Sequence, residues 1–325
     1  MLKNSFAVLG ASSSAFSSMV VRPNSLSARS WRAEFTCRFV QMLFNKYESQ
    51  SHDWLRETQK LLAMKGPALS KVTAHRGEIA GVPVLEVYPK KLDPKDLPTV
   101  VYFHGGGYVI GSAEGYKYTL AKIAILCGMR VIAVDYRLAP EHPLPCAQED
   151  CLEVVESIIK DLDAQEQLYL MGDSAGGALV LNTLRELKEQ GRVGSVDGAI
   201  LLSPWVRPFE PEYLSTEFES VDMLSESIVN RWVNSFGDNV QDHKRVTDFS
   251  ETSFIGFPPM YVQAGGSEIF KAQVDDLVSR LRADRVNTAY DVFPDMFHVF
   301  QTLSPLVPEA DRALALIAKK IEQFT

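Results

Sequence analysis

The sequence predicts a chain of the α/β class: a mostly parallel sheet covered by helices on both faces, with a helical cap over one edge. Three observations carry that expectation. From residue 99 onward, short apolar runs alternate with helical patterns, the spacing of parallel strands joined by helices. One run, Thr99-Val100-Val101-Tyr102-Phe103, is apolar throughout, as a strand buried on both faces must be. Lastly, more than fifty residues separate a strand ending near Ser203 from one starting near Met260. A loop of that length without structure of its own is improbable, so the interval reads as an insertion.

The elements follow in order. Residues 1–33 hold nine serines, four basic residues and no acid before Glu34. That bias suits a tail or a mitochondrial transit segment better than a secretory signal. Trp31, Phe35, Phe39, Val40, Leu43 and Phe44 fall near helical spacing, so 26–48 reads as an amphipathic helix, with another over 54–63. Both precede the first strand and are candidates for a lid. Val72–Ile79 and Val82–Tyr88 form a hairpin turning at Ala80-Gly81. Further strands are expected at 99–103, 130–134, 168–171, 199–202, 260–263 and 288–293. Helices fill 118–126, 148–159, 178–187, 272–281 and 310–321 between and after them. The insertion carries Trp205, Phe209, Tyr213, Phe218, Trp232 and Phe236, and its clearest helix is 227–236. This divides the chain into a tail over 1–25, cap helices over 26–66, and an α/β domain over 67–325 with a cap insertion at about 205–255.

Composition narrows the function. A formal net charge of −8 without a Lys/Arg run argues against nucleic acid as a partner. No apolar run reaches transmembrane length. Cys37, Cys127, Cys146 and Cys151 have neither C-x-x-C nor zinc spacing, so they read as free thiols and no metal is expected. Free thiols favour a reducing, cytoplasmic setting, while the N-terminal bias leaves a mitochondrial one open.

The chemistry concentrates in two glycine-rich turns. Gly172-Asp173-Ser174-Ala175-Gly176 lies between an apolar strand and an apolar helix, the context of a G-x-S-x-G nucleophile elbow. A sharp strand-to-helix reversal leaves room only for small residues beside the serine. It also puts the amide of Ala175 at a helix N-terminus, where donors lack partners. His104-Gly105-Gly106-Gly107-Tyr108 follows strand 99–103. Its glycines let backbone amides approach a ligand, so Gly106, Gly107 and Ala175 are the expected oxyanion donors. His104, Gly105 and Asp173 read as supports for that loop. Of six histidines, His298 alone follows the last strand and precedes the last helix, where the base of such an enzyme falls. The orienting acid is expected after strand 260–263, which points to Glu268, with Asp275 as the alternative. Ser174 would attack an acyl carbon, His298 take its proton, and Glu268 hold the imidazole. Neither a metal nor an organic cofactor is required.

Three segments together resemble the hormone-sensitive-lipase-like carboxylesterases of the α/β-hydrolase fold. They are His104-Gly105-Gly106-Gly107, the run from Asp135-Tyr136-Arg137 through Pro143-Leu144-Pro145, and Gly172-Asp173-Ser174-Ala175-Gly176-Gly177. The resemblance spans about residues 70–325. It implies an eight-stranded sheet, a helical cap, and hydrolysis of short- to medium-chain esters of small molecules. The family's acid is usually an aspartate in an Asp-Pro-Leu segment, and Glu268-Ile269-Phe270 stands there in this chain. Asp135 and Arg137 are expected to pair and brace the loops. Family members often form homodimers through the edge strand. A deacetylase, lactonase or amidase could use the same groups. Ligand receptors resembling this family have lost the histidine, which this chain retains.

Overall fold

The computed structural model describes residues 29–163 and 166–324, together with residues 8, 11–13 and 15. The tail expected over 1–25 lies almost wholly outside the described residues. Two helices come first, α1 (Trp31–Tyr47) and α2 (His52–Leu61). Each starts at a serine whose hydroxyl accepts a first-turn amide, Ser30 from Ala33 and Ser51 from Trp54. The first helix therefore begins at Trp31 rather than at residue 26.

The sheet and its connections follow: β1 (Val72–Ile79), β2 (Val82–Pro89), β3 (Thr99–Phe103), α3 (Ala113–Cys127), β4 (Arg130–Val134), α4 (Cys146–Asp161), β5 (Leu168–Asp173), α5 (Ala175–Glu189) and β6 (Gly198–Leu202). The insertion then supplies α6 (Glu226–Val233) and α7 (Val240–Thr247). The chain closes with β7 (Met260–Gly265), α8 (Lys271–Ala283), β8 (Thr288–Phe293) and α9 (Pro308–Ile321). Helix α3 starts five residues earlier than its apolar pattern suggests. Ser112 caps Gly115 there, and the first turn, Ala113-Glu114-Gly115-Tyr116, carries no periodic signal.

The eight strands lie in the order β1-β2-β4-β3-β5-β6-β7-β8. The pairs β1–β2 and β2–β4 are antiparallel, and every other pair is parallel. The β1–β2 hairpin turns through Ala80 and Gly81, both at positive φ. Side chains alternate between two cores, as a period of two requires. Val101, Phe103, Leu168 and Leu170 face one core, while Val100, Tyr102, Tyr169 and Met171 face the other. Helices α4, α5 and α8 cover the first face. Helix α3 and part of α9, through Leu314 and Ile317, cover the second.

Register places the chemistry. Phe103 pairs with Gly172, so β3 and β5 end side by side. The glycine-rich loop after β3 and the serine turn after β5 therefore emerge next to each other at the carboxyl edge, where open α/β sheets bind ligands. Leu170 is fully buried in β5. Leu170→Ala is expected to lower the free energy of unfolding by about 3 kcal/mol. Urea denaturation checks this, and a loss below about 1 kcal/mol would contradict such tight packing.

Candidate active site

The turn from β5 into α5 is built by close backbone approach. Ser174 sits at φ +52°, a conformation that L-residues adopt only under constraint. A Cβ on Gly172 would lie 2.3 Å from the carbonyl oxygen of Gly176. A Cβ on Gly176 would lie 2.0 Å from the carbonyl oxygen of Phe103. Both glycines are required sterically, and the second presses the serine turn against the end of β3. The serine is only 3% exposed.

The structure brings Ser174 and His298 together: Oγ lies 2.9 Å from Nε2. His298 follows β8 in a loop with positive φ at Asp295 and Val299. Its ring packs edge-on against Phe270, 4.7 Å between centroids. Glu268 is fully buried after β7, with Oε2 3.8 Å from His298 Nδ1. That is ion-pair range but beyond a hydrogen bond, and Nδ1 has no hydrogen-bond partner among the described residues. The same Oε2 accepts from Ser203 Oγ at 2.6 Å and from the Gly265 amide at 3.1 Å. Asp275 is not part of this cluster. It lies half-exposed on α8, accepting from Tyr290 and pairing with Lys271.

The glycine loop is fixed from below. Asp173 is fully buried and accepts from Tyr102 Oη (2.7 Å), Tyr116 Oη (2.8 Å) and the Gly105 amide (3.0 Å). Burial raises its pKa above the ordinary carboxylate range, and those three donors work against the rise. With the Gly105 amide engaged, those of Gly106 and Gly107 come next along the loop. Gly106 has φ +118°, and a Cβ there would meet the Ile110 carbonyl at 2.2 Å. Trp232 closes over Gly107 from α6. His104 is buried and stacked on Tyr136, 4.3 Å between centroids, with Nδ1 2.8 Å from the Gly105 carbonyl. Burial lowers its pKa, which disfavours the cation.

The expected pairing of Asp135 with Arg137 is not formed. Asp135 accepts the amide of Ala113 at the N-terminus of α3, an orphan donor at the positive end of a helix. Arg137 instead binds Asp150 and Glu149 on α4. Both residues still brace loops beside the site, each against a helix rather than each other.

Other contributors lack any local sequence signal. Arg56 on α2 donates to the carbonyls of Val109 and Ala139, each at 2.9 Å, and forks onto Glu141 at 2.7 and 2.9 Å. Gln59 on the same helix accepts the Gly111 amide at 3.2 Å. Helix α2 therefore holds the segment that follows the glycine run. Asp222, in the insertion, accepts the backbone amide of His298 at 2.8 Å. A cavity of about 760 Å³ opens onto Ser174, His298 and Gly106, walled by Phe39, Leu43, Phe44 and Leu55 of the first two helices and by Trp232. Of the insertion's aromatics, Trp205, Trp232 and Phe236 are buried core residues as well.

Residues 100–302 match the family model described as the alpha/beta hydrolase fold. By structure, the chain is similar to an esterase from the bacterial hormone-sensitive lipase family, with a TM-score of 0.80 and 27% identity over 91% of this chain and 99% of that one. By sequence, it is 25% identical to an acetyl-hydrolase of Streptomyces hygroscopicus over 68% of this chain and 74% of the relative. It is also 25% identical to a versiconal hemiacetal acetate esterase of Dothistroma septosporum, over 78% of this chain and 81% of the relative. The chain belongs to the α/β-hydrolase fold family, in its hormone-sensitive-lipase-like branch. Within that family it is a carboxylesterase-type ester hydrolase. No helix among the described residues is long and apolar enough to cross a membrane.

The Arg56–Glu141 fork gives a pH test. Hydrogen bonds from Arg56 hold the Glu141 carboxyl down at about 2, below its ordinary range. A depressed carboxylate contributes stability that is present above its unfolded pKa and lost as pH falls through the folded one. The gap in thermal midpoint between wild type and Arg56→Ala should therefore narrow as pH drops from about 5 to about 2. A gap independent of pH over that range would show that the fork is not formed.

Proposed function

We propose that this chain hydrolyses short- to medium-chain carboxylic esters of small molecules through an acyl-enzyme on Ser174. The observation that carries this is the 2.9 Å approach of Ser174 Oγ to His298 Nε2 beside the glycine loop, at the end of an apolar-walled cavity. His298 takes the hydroxyl proton as Oγ attacks the acyl carbon. The carbonyl oxygen becomes an oxyanion, received by the amides of Gly106, Gly107 and Ala175, each worth about 3 kcal/mol in a preorganised site. His298 then protonates the leaving alkoxide. Water, deprotonated by the same imidazole, attacks the acyl-enzyme and releases the acid. Glu268 stabilises the imidazolium across 3.8 Å, a gap that one small movement of its side chain closes. Ser203 and Gly265 aim its carboxylate.

The relatives favour a narrower reading, removal of an acetyl group from a larger alcohol. Two of them are named for acetyl or acetate hydrolysis. A cavity of about 760 Å³ is far larger than an acetyl group needs and suits a bulky apolar alcohol.

Ser174→Ala is expected to lower kcat for p-nitrophenyl butyrate at least ~10⁴-fold, and Glu268→Gln by about 10²- to 10⁴-fold. Retention of wild-type turnover by Ser174→Ala would overturn the assignment. A series of p-nitrophenyl esters from acetate to laurate should peak at a short or medium chain and fall off towards laurate. A peak at laurate would refute the chain-length assignment.

A further inference from the structure

We propose that Asp222 is a positioning residue for His298, its buried carboxylate tying the cap turn to both loops that carry the base and its acid. This rests on the reading of Ser174 and His298 as the reacting pair. Asp222 comes from the inserted segment just before α6, not from the sheet, and is fully buried. Its Oδ1 accepts the amide of His298 at 2.8 Å and that of Met223 at 2.7 Å. Its Oδ2 accepts the amide of Ile269 at 2.7 Å. One side chain therefore grips His298 itself and the residue that follows Glu268. All three bonds end on an anion, the stronger kind of hydrogen bond.

The histidine loop needs such a grip. Positive φ at Asp295 and Val299 flanks His298, and neither is a glycine, so the loop holds its shape only under outside constraint. A second tie runs parallel to the first. Arg29 Nε donates to the Asp295 carbonyl at 2.7 Å, and its Nη1 to the Val221 carbonyl at 2.8 Å. The Cys37 thiol donates to that same Val221 carbonyl at 3.3 Å. The cap turn Val221-Asp222 is thus clasped between α1 and the histidine loop.

Asp222 also acts through its charge. The groups that interact with it electrostatically are His298, Glu268 and Cys37, with Arg29 and Glu34 around the same thiol. Burial pushes its carboxyl up to about 6, and the His298 charge is the largest influence drawing it back. When His298 takes the serine proton, two buried anions therefore attract the imidazolium, Glu268 and Asp222. An aspartate that merely filled space would leave the pH profile alone.

The test compares full-length wild type, Ser174→Ala and Asp222→Asn. In Asp222→Asn the expected result is a ten- to a hundredfold lower kcat, roughly the scale of a small misplacement, with KM within about twofold. The acid limb of kcat/KM should also move to lower pH, because the imidazolium has lost one attracting anion. Folded Asp222→Asn with wild-type kcat and an unmoved acid limb overturns the proposal. If that variant does not fold, hydrogen exchange of the wild-type His298 and Ile269 backbone amides is followed by NMR. Strong protection of both supports the proposal, and exchange at the rate of an open loop overturns it. Labelling by a fluorophosphonate separates the two readings. Unlabelled wild type, or labelled Ser174→Ala, removes the reacting pair and this inference with it. Wild type labelled on Ser174, with Asp222→Asn equal to it in rate and pH profile, removes the inference alone.

Discussion

The close approach of two backbones at the carboxyl edge of the sheet sets everything else in this site. Gly176 lies so near the end of β3 that a methyl group would overlap the Phe103 carbonyl. That contact brings the turn after β5 and the loop after β3 into one piece. The reversal also forces Ser174 to positive φ, a strain on the order of 1–3 kcal/mol that the surrounding packing must hold. In return the hydroxyl makes no capping bond to its own helix and meets His298 Nε2 instead. Displacing either backbone would separate Ser174 from the glycine loop.

The second constraint is that segments outside the sheet hold the loops the sheet leaves free. Helix α2 pins the glycine loop through Arg56 and Gln59. Helix α6 lays Trp232 over Gly107, and Phe44 of α1 meets that indole edge-on. The cap turn and Arg29 hold the histidine loop. These segments therefore both wall the cavity and brace the glycine and histidine loops. Small shifts in the cap should accordingly register at Ser174 and His298, since close-packed elements transmit displacement.

How much was legible in the sequence depends on range. The elbow and the glycine run are written within five consecutive residues each, and their steric logic is local. His298 could be placed by chain order alone. The central strands β3 to β6 followed from apolar runs, because burial on both faces leaves few polar positions. Contacts between distant segments left no such trace. Asp222 meets His298 across 76 positions, and nothing in its local sequence points to that contact. Asp135 and Arg137 looked like a pair because they are close in sequence. The free amide at α3 and the acids of α4 instead offered each a better-placed partner. Glu268 was reached from its place at a strand end, but its link to Ser203 depends on how β6 and β7 lie side by side.

The central claim is that hydroxyl, imidazole and three amides converge on one acyl centre. A crystal structure of the enzyme after reaction with a phosphonate ester tests it most directly. The account predicts phosphorus bonded to Ser174 Oγ, its free oxygen within about 3 Å of the amides of Gly106, Gly107 and Ala175, and His298 Nε2 facing the leaving-group side. An adduct on another residue, or a phosphonyl oxygen turned away from those amides, would contradict it.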